Sequence, residues 1–220
     1  MSESELDWIM PVYVINLPSR DERRKHIEQQ FAGKTEFEVH FIEAVSHKVG
    51  AIGLWESICK VIHTAKERDE EIIVICEDDH FFTPAYNKDF FLAQLIEASR
   101  QNVELLIGGI GGFGHAVQVA RHRFWTDWFY STQFVVVFRS FFDKVLNYSF
   151  KEGDTADGVF SQLTMDKQTI FPFISVQKDF GYSDVTSSND TYRGLIDHLF
   201  YNTEARLNML YQVAQKFHSQ

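Results

Sequence analysis

Residues 72–82 read Ile72-Ile73-Val74-Ile75-Cys76-Glu77-Asp78-Asp79-His80-Phe81-Phe82. An apolar, β-branched run of this length without polar alternation fits a strand covered on both faces, as in the centre of an α/β sheet. It runs directly into three acids. Like charges side by side repel one another and raise their own pKa values unless a cation stands between them. The acids fall at the carboxyl end of the strand, where open α/β sheets collect their ligands.

The flanking sequence alternates in the same sense. Pro11–Leu17 is a second buried-strand pattern, followed by Ser19 as an N-cap with Glu22 three residues on, and a helix running to Phe31 before Gly33. Its spacing places Arg20, Arg24, Ile27 and Phe31 on one side, with the arginines near the strand end. Residues 37–43 form another strand. From Gly50, Leu54, Trp55, Ile58, Val61, Ile62 and Ala65 recur at helical spacing opposite Glu56, Lys60 and Thr64. Beyond the acids, a helix is predicted over 86–99, a strand over 104–107 and a glycine loop over 108–114. A strand follows over 132–138, a helix over 141–147 and two closing helices over 190–218. The expected fold is therefore α/β, a single Rossmann-like domain over residues 1–220 with a mostly parallel central sheet, flanking helices and C-terminal helices.

Composition narrows the function classes. With 31 acids against 21 bases the net charge is −10, which disfavours nucleic acid as a partner. Cys59 and Cys76 are too few for a disulfide framework, and no apolar run reaches the roughly 20 residues of a transmembrane segment. The acidic start lacks the pattern of a signal peptide. These features read as a cytoplasmic protein, and they leave room for a peripheral visit to a membrane.

Three clusters carry candidate chemistry. Glu77, Asp78 and Asp79 suit Mn²⁺ or Mg²⁺, which use one or two carboxylates together with a substrate diphosphate. An acidic triplet in a solvated loop is the plainer alternative. Asn16, Arg20 and Arg23 lie where a strand turns into a helix N-terminus, a place suited to phosphate, although Arg23 and Arg24 also fit solvated partners of Glu28. In 151–161, Thr155 caps a short helix with Asp157 in its first turn, either a helix-dipole contact or a general base beside Gly158. The loop Gly108-Gly109-Ile110-Gly111-Gly112-Phe113-Gly114 lacks the ending of a phosphate-binding P-loop and reads as a flexible turn beside the site. His80, His115 and His122 have no metal-ligand spacing and read as structural or surface residues.

In this order, these pieces resemble glycosyltransferase family 25, the lipooligosaccharide and collagen galactosyltransferase group, over roughly residues 11–186. The similarity lies in Val14-Ile15-Asn16-Leu17 with Arg20 and Arg23-Arg24, Gly50-Ala51-Ile52-Gly53 with Ser57, and Ile75 to Asp79. It continues through 134–138, Asp157, Gln177 and Ser183-Asp184-Val185. The resemblance implies a GT-A type fold and an inverting hexosyltransferase that uses a UDP-sugar, typically UDP-galactose, with Mn²⁺ or Mg²⁺. Its acceptor would be a glycan or lipid-linked glycan in lipopolysaccharide or surface polysaccharide synthesis. It implies Glu77 and Asp79 as metal ligands, Asp78 at the donor ribose or sugar, Asn16, Arg20, Arg23, Gly50 and Ser57 around the nucleotide, and Asp157 as base. One departure stands out: the family's Ser-His pair is Ser57-Ile58 here. It motivates an alternative, a catalytically silent nucleotide-sugar or glycan-binding protein.

Overall fold

The computed structural model describes residues 9–181 and 194–218. Its strands are β1 (Met10–Asn16), β2 (Phe37–Glu43), β3 (Ile72–Glu77), β4 (His80–Phe82), β5 (Leu105–Ile107), β6 (Ala116–Ala120), β7 (Arg123–Thr126), β8 (Phe134–Phe138), β9 (Lys167–Ile170) and β10 (Ser175–Gln177). The helices are α1 (Asp21–Phe31), α2 (Gly50–Glu67), α3 (Lys88–Arg100), α4 (Arg139–Leu146), α5 (Ala156–Leu163) and α6 (Leu195–His218).

Eight strands form one sheet in the order β2-β1-β3-β8-β5-β9-β7-β6, and β10 pairs with β4 beside it. β1 is parallel to β2 and β3, and β5 is parallel to β9. β8 runs antiparallel to both β3 and β5, while β7 opposes β9 and β6. Only β8 and β7 therefore run against the common direction of the sheet. The expected mostly parallel sheet is present, with an antiparallel strand inserted next to its centre.

β3 lies between β1 and β8, and the alternation of its side chains explains why its sequence does not alternate. Ile73 and Ile75 join Tyr13 and Ile15 in a core built with α2, α4, α5 and α6. Val74 and Cys76 join Val12 and Val14 in a second core built with α1 and α3. Both faces of these strands are covered, so every position is apolar.

Local sequence departs from expectation at several ends. Ser19 lies in a turn closed by Arg20 N–H donating to Leu17 O, and Arg20 is the residue before α1, so the Ser19–Glu22 capping box does not form. The inward face of α1 carries Arg23, His26, Ile27 and Phe31. Arg24 instead pairs with Glu28 at 2.7 Å and covers the Phe41 ring. Asn87, which accepts from Phe90 N–H, starts α3, and Thr155, which accepts from Gly158 N–H, starts α5. In place of two closing helices there is one of 24 residues from Leu195, with residues 190–193 outside the described part. His80 is a core residue, its Nδ1 2.8 Å from Ser175 Oγ.

The glycine loop is not a flexible turn. A Cβ at Gly109 would lie 2.0 Å from Ser175 O, and one at Gly108 2.9 Å from Ser175 Cβ. These glycines let the chain after β5 pass against β10 without a side chain between them. From the other side, Thr203 Oγ1 donates to Gly111 O, and Arg206 donates to Phe113 O and Gly114 O. α6 therefore clamps the loop in place.

Candidate functional site

A cleft of about 820 Å³ opens at the carboxyl ends of β1 and β3. Arg20, Arg23, Gly50, Gly53, Glu77, Asp78, Asp79, Tyr130, Ser131, Thr132, Asp157, Gln177 and Lys178 are among its walls. Of the residues expected from sequence, only Asn16 and Ser57 do not line it.

Strand alternation divides the acids. Asp78 continues the Val74–Cys76 series toward α1, on the same face as Asn16 in the neighbouring strand. Asn16 Nδ2 donates to Asp78 Oδ2 at 2.8 Å, and Arg23 Nη1 donates to Asp78 Oδ1 at 3.0 Å. All three are at least nine-tenths buried. A buried charge needs a partner and hydrogen bonds, and here both carboxylate oxygens have them. Asp78 and Asn16 therefore form a brace between β1, β3 and α1. Arg23 belongs to it as well, with its guanidinium 4.8 Å from the Phe180 ring.

Glu77 continues the Ile73–Ile75 series toward the other face. Thr132 Oγ1 donates to Glu77 Oε1 at 2.6 Å. Asp79 comes after the strand, 3.5 Å from Arg23 Nη1, and its buried Oδ1 has no hydrogen-bond partner among the described residues. Desolvation, followed by repulsion from Asp79, pushes the Glu77 carboxyl up to about 8. Desolvation likewise lifts Asp79 to about 7 against the attraction of Arg23. Among the described residues no three His, Cys, Asp or Glu side chains gather as a metal cage. Two mutually repelling carboxylates with an unmatched oxygen are nonetheless a donor set that fits Mg²⁺ or Mn²⁺, which complete their shell with phosphate oxygens and water.

Because both carboxyl groups hold protons in the folded chain above their unfolded pKa values, the folded state binds more protons between about pH 4 and pH 8. Stability of the metal-free protein therefore falls as pH rises through that window. Melting curves at pH 5 and pH 8 should show the drop. Glu77→Gln should flatten it, raising the melting temperature at pH 8 by a few degrees.

The other predicted residues have distinct places. Gly50 is the first residue of α2. A Cβ on Gly53 would lie 2.5 Å from Val45 O, so this glycine lets the 44–48 loop close on the helix. Ser57 is fully buried; its Oγ donates to Gly53 O at 2.6 Å and accepts from Val45 N–H at 2.8 Å. Ser57, expected around the nucleotide, does not line the cleft; it ties down the loop that forms the cleft wall. Ile58, where the sequence departs from the family pattern, is fully buried in the core with Trp55 and Val61 and does not line the cleft. Ile58→Ala should cost about 2–4 kcal/mol in urea denaturation without changing ligand-dependent melting shifts.

Asp157 reaches the cleft from the first turn of α5. Its Oδ1 accepts from Thr155 Oγ1 at 2.5 Å and Gly158 N–H at 2.8 Å, and its Oδ2 accepts from Ser131 N–H at 2.9 Å. Ser131 has φ +86°, a left-handed conformation rare outside glycine, and its Oγ donates to Gln177 at 3.2 Å. Backbone strain of this kind collects at functional sites. Sequence reading missed Ser131, Thr132 and Lys178 because they come from short connections between elements. The available signal was the aromatic stretch Trp125 to Tyr130 between two glycine- and valine-rich segments. Ser183, Asp184 and Val185 lie outside the described residues.

A search of curated proteins returned no match. Several solved structures align at low identity. A protein from STIV aligns with a TM-score of 0.49 and 9% identity, over 80% of this chain and 87% of that one. UDP-glucose pyrophosphorylase in complex with UDP-glucose aligns at 0.48 and 7%, over 83% and 80%. A glycosyltransferase involved in glycosylation of the major capsid of PBCV-1 aligns at 0.42 and 13%, over 62% and 63%. Residues 9–60, the segment that carries Asn16, Arg20, Arg23, Gly50 and Ser57, match the model of glycosyltransferase family 25 (LPS biosynthesis protein).

Proposed function

We propose that the cleft is the active site of an inverting, metal-dependent glycosyltransferase that moves a sugar from a UDP-sugar to a glycan or lipid-linked acceptor. Galactose as the sugar and lipopolysaccharide or surface polysaccharide as the destination follow from the family resemblance. The observation that carries the reading is the pair Glu77 and Asp79: two desolvated carboxylates, one with an unmatched oxygen, in the wall of a cleft large enough for a nucleotide sugar.

Glu77 and Asp79 would hold a divalent cation, which would supply charge neutralisation to a departing diphosphate. Arg20, Lys48 and the N-terminus of α2 offer positive charge on the β1 side of the same cleft. Arg23 and Asn16 hold the acids in position through Asp78. Asp157 Oδ2 takes one hydrogen bond, from Ser131, and keeps a second lone pair for the proton of an acceptor hydroxyl. With the acceptor oxygen attacking the donor carbon as the diphosphate leaves it and Asp157 taking the hydroxyl proton, a single displacement suffices and no side chain needs to bond to the sugar. The silent-binding alternative drew on Ile58. That residue sits in the core rather than in the cleft wall, which favours the transferase reading.

Melting curves of the protein with UDP, GDP and CMP, each with and without Mn²⁺, test the donor site. The expected result is a rise in melting temperature with UDP that requires Mn²⁺. No shift with any nucleotide in folded protein would overturn the reading.

A further inference from the structure

Trp128 and Tyr130 form an aromatic rim that the chemistry above does not use. Their rings lie 4.7 Å apart at 48°, and they are 37% and 54% exposed. Large exposed aromatics that are firmly seated mark binding surfaces, and these are seated by the glycine loop. A Cβ on Gly112 would lie 2.8 Å from the Tyr130 ring, and one on Gly114 would lie 2.6 Å from Trp128 Nε1. Gly111 N–H donates to Tyr130 O, and Tyr130 N–H donates to Gly112 O. Asp127 accepts from the backbone N–H groups of Gly114, His115 and Trp128 and pairs with His115 Nδ1 at 2.8 Å. These bonds, led by those from His115, hold the Asp127 carboxyl down at about 2 against desolvation. The Asp127 carboxylate therefore stays charged through the neutral range.

The rim also has a defined place relative to the acids. Tyr130 lines the cleft and is followed by Ser131, whose N–H contacts Asp157. This chain leads into β8, whereas Arg20 and Lys48 come from the connections after β1 and β2. β3 and its acids separate the two sides. Trp128 packs against Tyr130 but does not itself line the cleft.

We propose that Trp128 and Tyr130 are the acceptor platform: a glycan of two or more sugars stacks its apolar C–H faces on the two rings, so that its terminal hydroxyl meets Asp157. Sugar rings have an apolar face suited to aromatic packing and hydroxyl edges that need polar partners. Trp128 Nε1 donates to no described residue, and His115, with an 89% exposed side chain, offers Nε2 at the same edge. The inference rests on the transferase reading of the cleft.

Saturation-transfer NMR with methyl β-galactoside, methyl β-glucoside, lactose and maltotriose tests the platform without any donor. The expected result is transfer to the C–H protons of at least one disaccharide or trisaccharide, with binding weakened about tenfold in Trp128→Ala and in Tyr130→Ala. The Mn²⁺-dependent UDP melting shift should be unchanged in Trp128→Ala, whose ring does not line the cleft. Equal sugar binding by wild type and variants, or no binding of any of the four sugars, would overturn the proposal. Loss of the UDP shift in Trp128→Ala would also overturn it, by making the rim part of the donor site. A wild type that binds sugar but never shifts with UDP would refute the transferase reading instead.

Discussion

Asp79→Asn is expected to lower UDP-sugar turnover by a factor of about 10³ or more while leaving the fold intact. The substitution removes the charge of one of two proposed cation ligands, and lost stabilisation of a leaving diphosphate appears directly in the rate. The amide is nearly the same size as the carboxylate, and the Arg23 contact it weakens is already long at 3.5 Å. A neutral side chain in this desolvated position should melt no lower than the wild type at pH 8, because Asp79 itself is raised to about 7 by burial. Steady-state kinetics beside melting curves separate the two effects. Unchanged turnover with saturating Mn²⁺ would remove Asp79 from the mechanism.

Arg23→Ala should act in the opposite way, on the fold first. Its guanidinium is the charged partner of Asp78 at 3.0 Å, with both side chains less than one-tenth exposed. Removing one member of a buried pair leaves the other charge desolvated and uncompensated, a loss of about 3–5 kcal/mol. Urea denaturation would read it as a lower midpoint with an unchanged slope. Arg23→Lys should recover only part, since an ammonium can replace the Nη1 contacts to Asp78 and Asp79 but not the planar guanidinium that lies 4.8 Å from the Phe180 ring. A cost below about 1 kcal/mol would mean that the brace is solvated and that Arg23 serves ligand alone.

The contrast between Arg23 and Arg24 shows what the sequence could and could not disclose. Helical spacing locates α1, but Arg23 turns inward while Arg24 lies along Phe41, and the difference depends on Asp78, 55 residues away. β3 and its acids were legible because a strand buried on both faces must be apolar throughout, and its end must turn polar. β2 was legible instead from its alternation, and α2 from apolar positions at helical spacing. β4, β6, β7, β9 and β10 were not: they are three to five residues long, and β6 at the edge of the sheet exposes Val117 and Val119. Arg123 and Lys167 lie in such strands and are fully buried, against the usual habit of their side chains. At the site, the acids and Asp157 could be named from local pattern. Ser57 could not be given its role in the cleft wall, because the Val45 backbone it holds comes from a different part of the chain.

The clamp of α6 on the glycine loop reaches further than local rigidity. Thr203 and Arg206 grip the backbone that seats the aromatic rim, while the acids are fastened through α1 on the far side of β3. The two halves of the cleft thus hang from different helices, one early in the chain and one late. Under the proposed reading, changes along α6 would tilt the rim and alter which acceptor is held while leaving the acid pair in place, so acceptor and chemistry could vary independently.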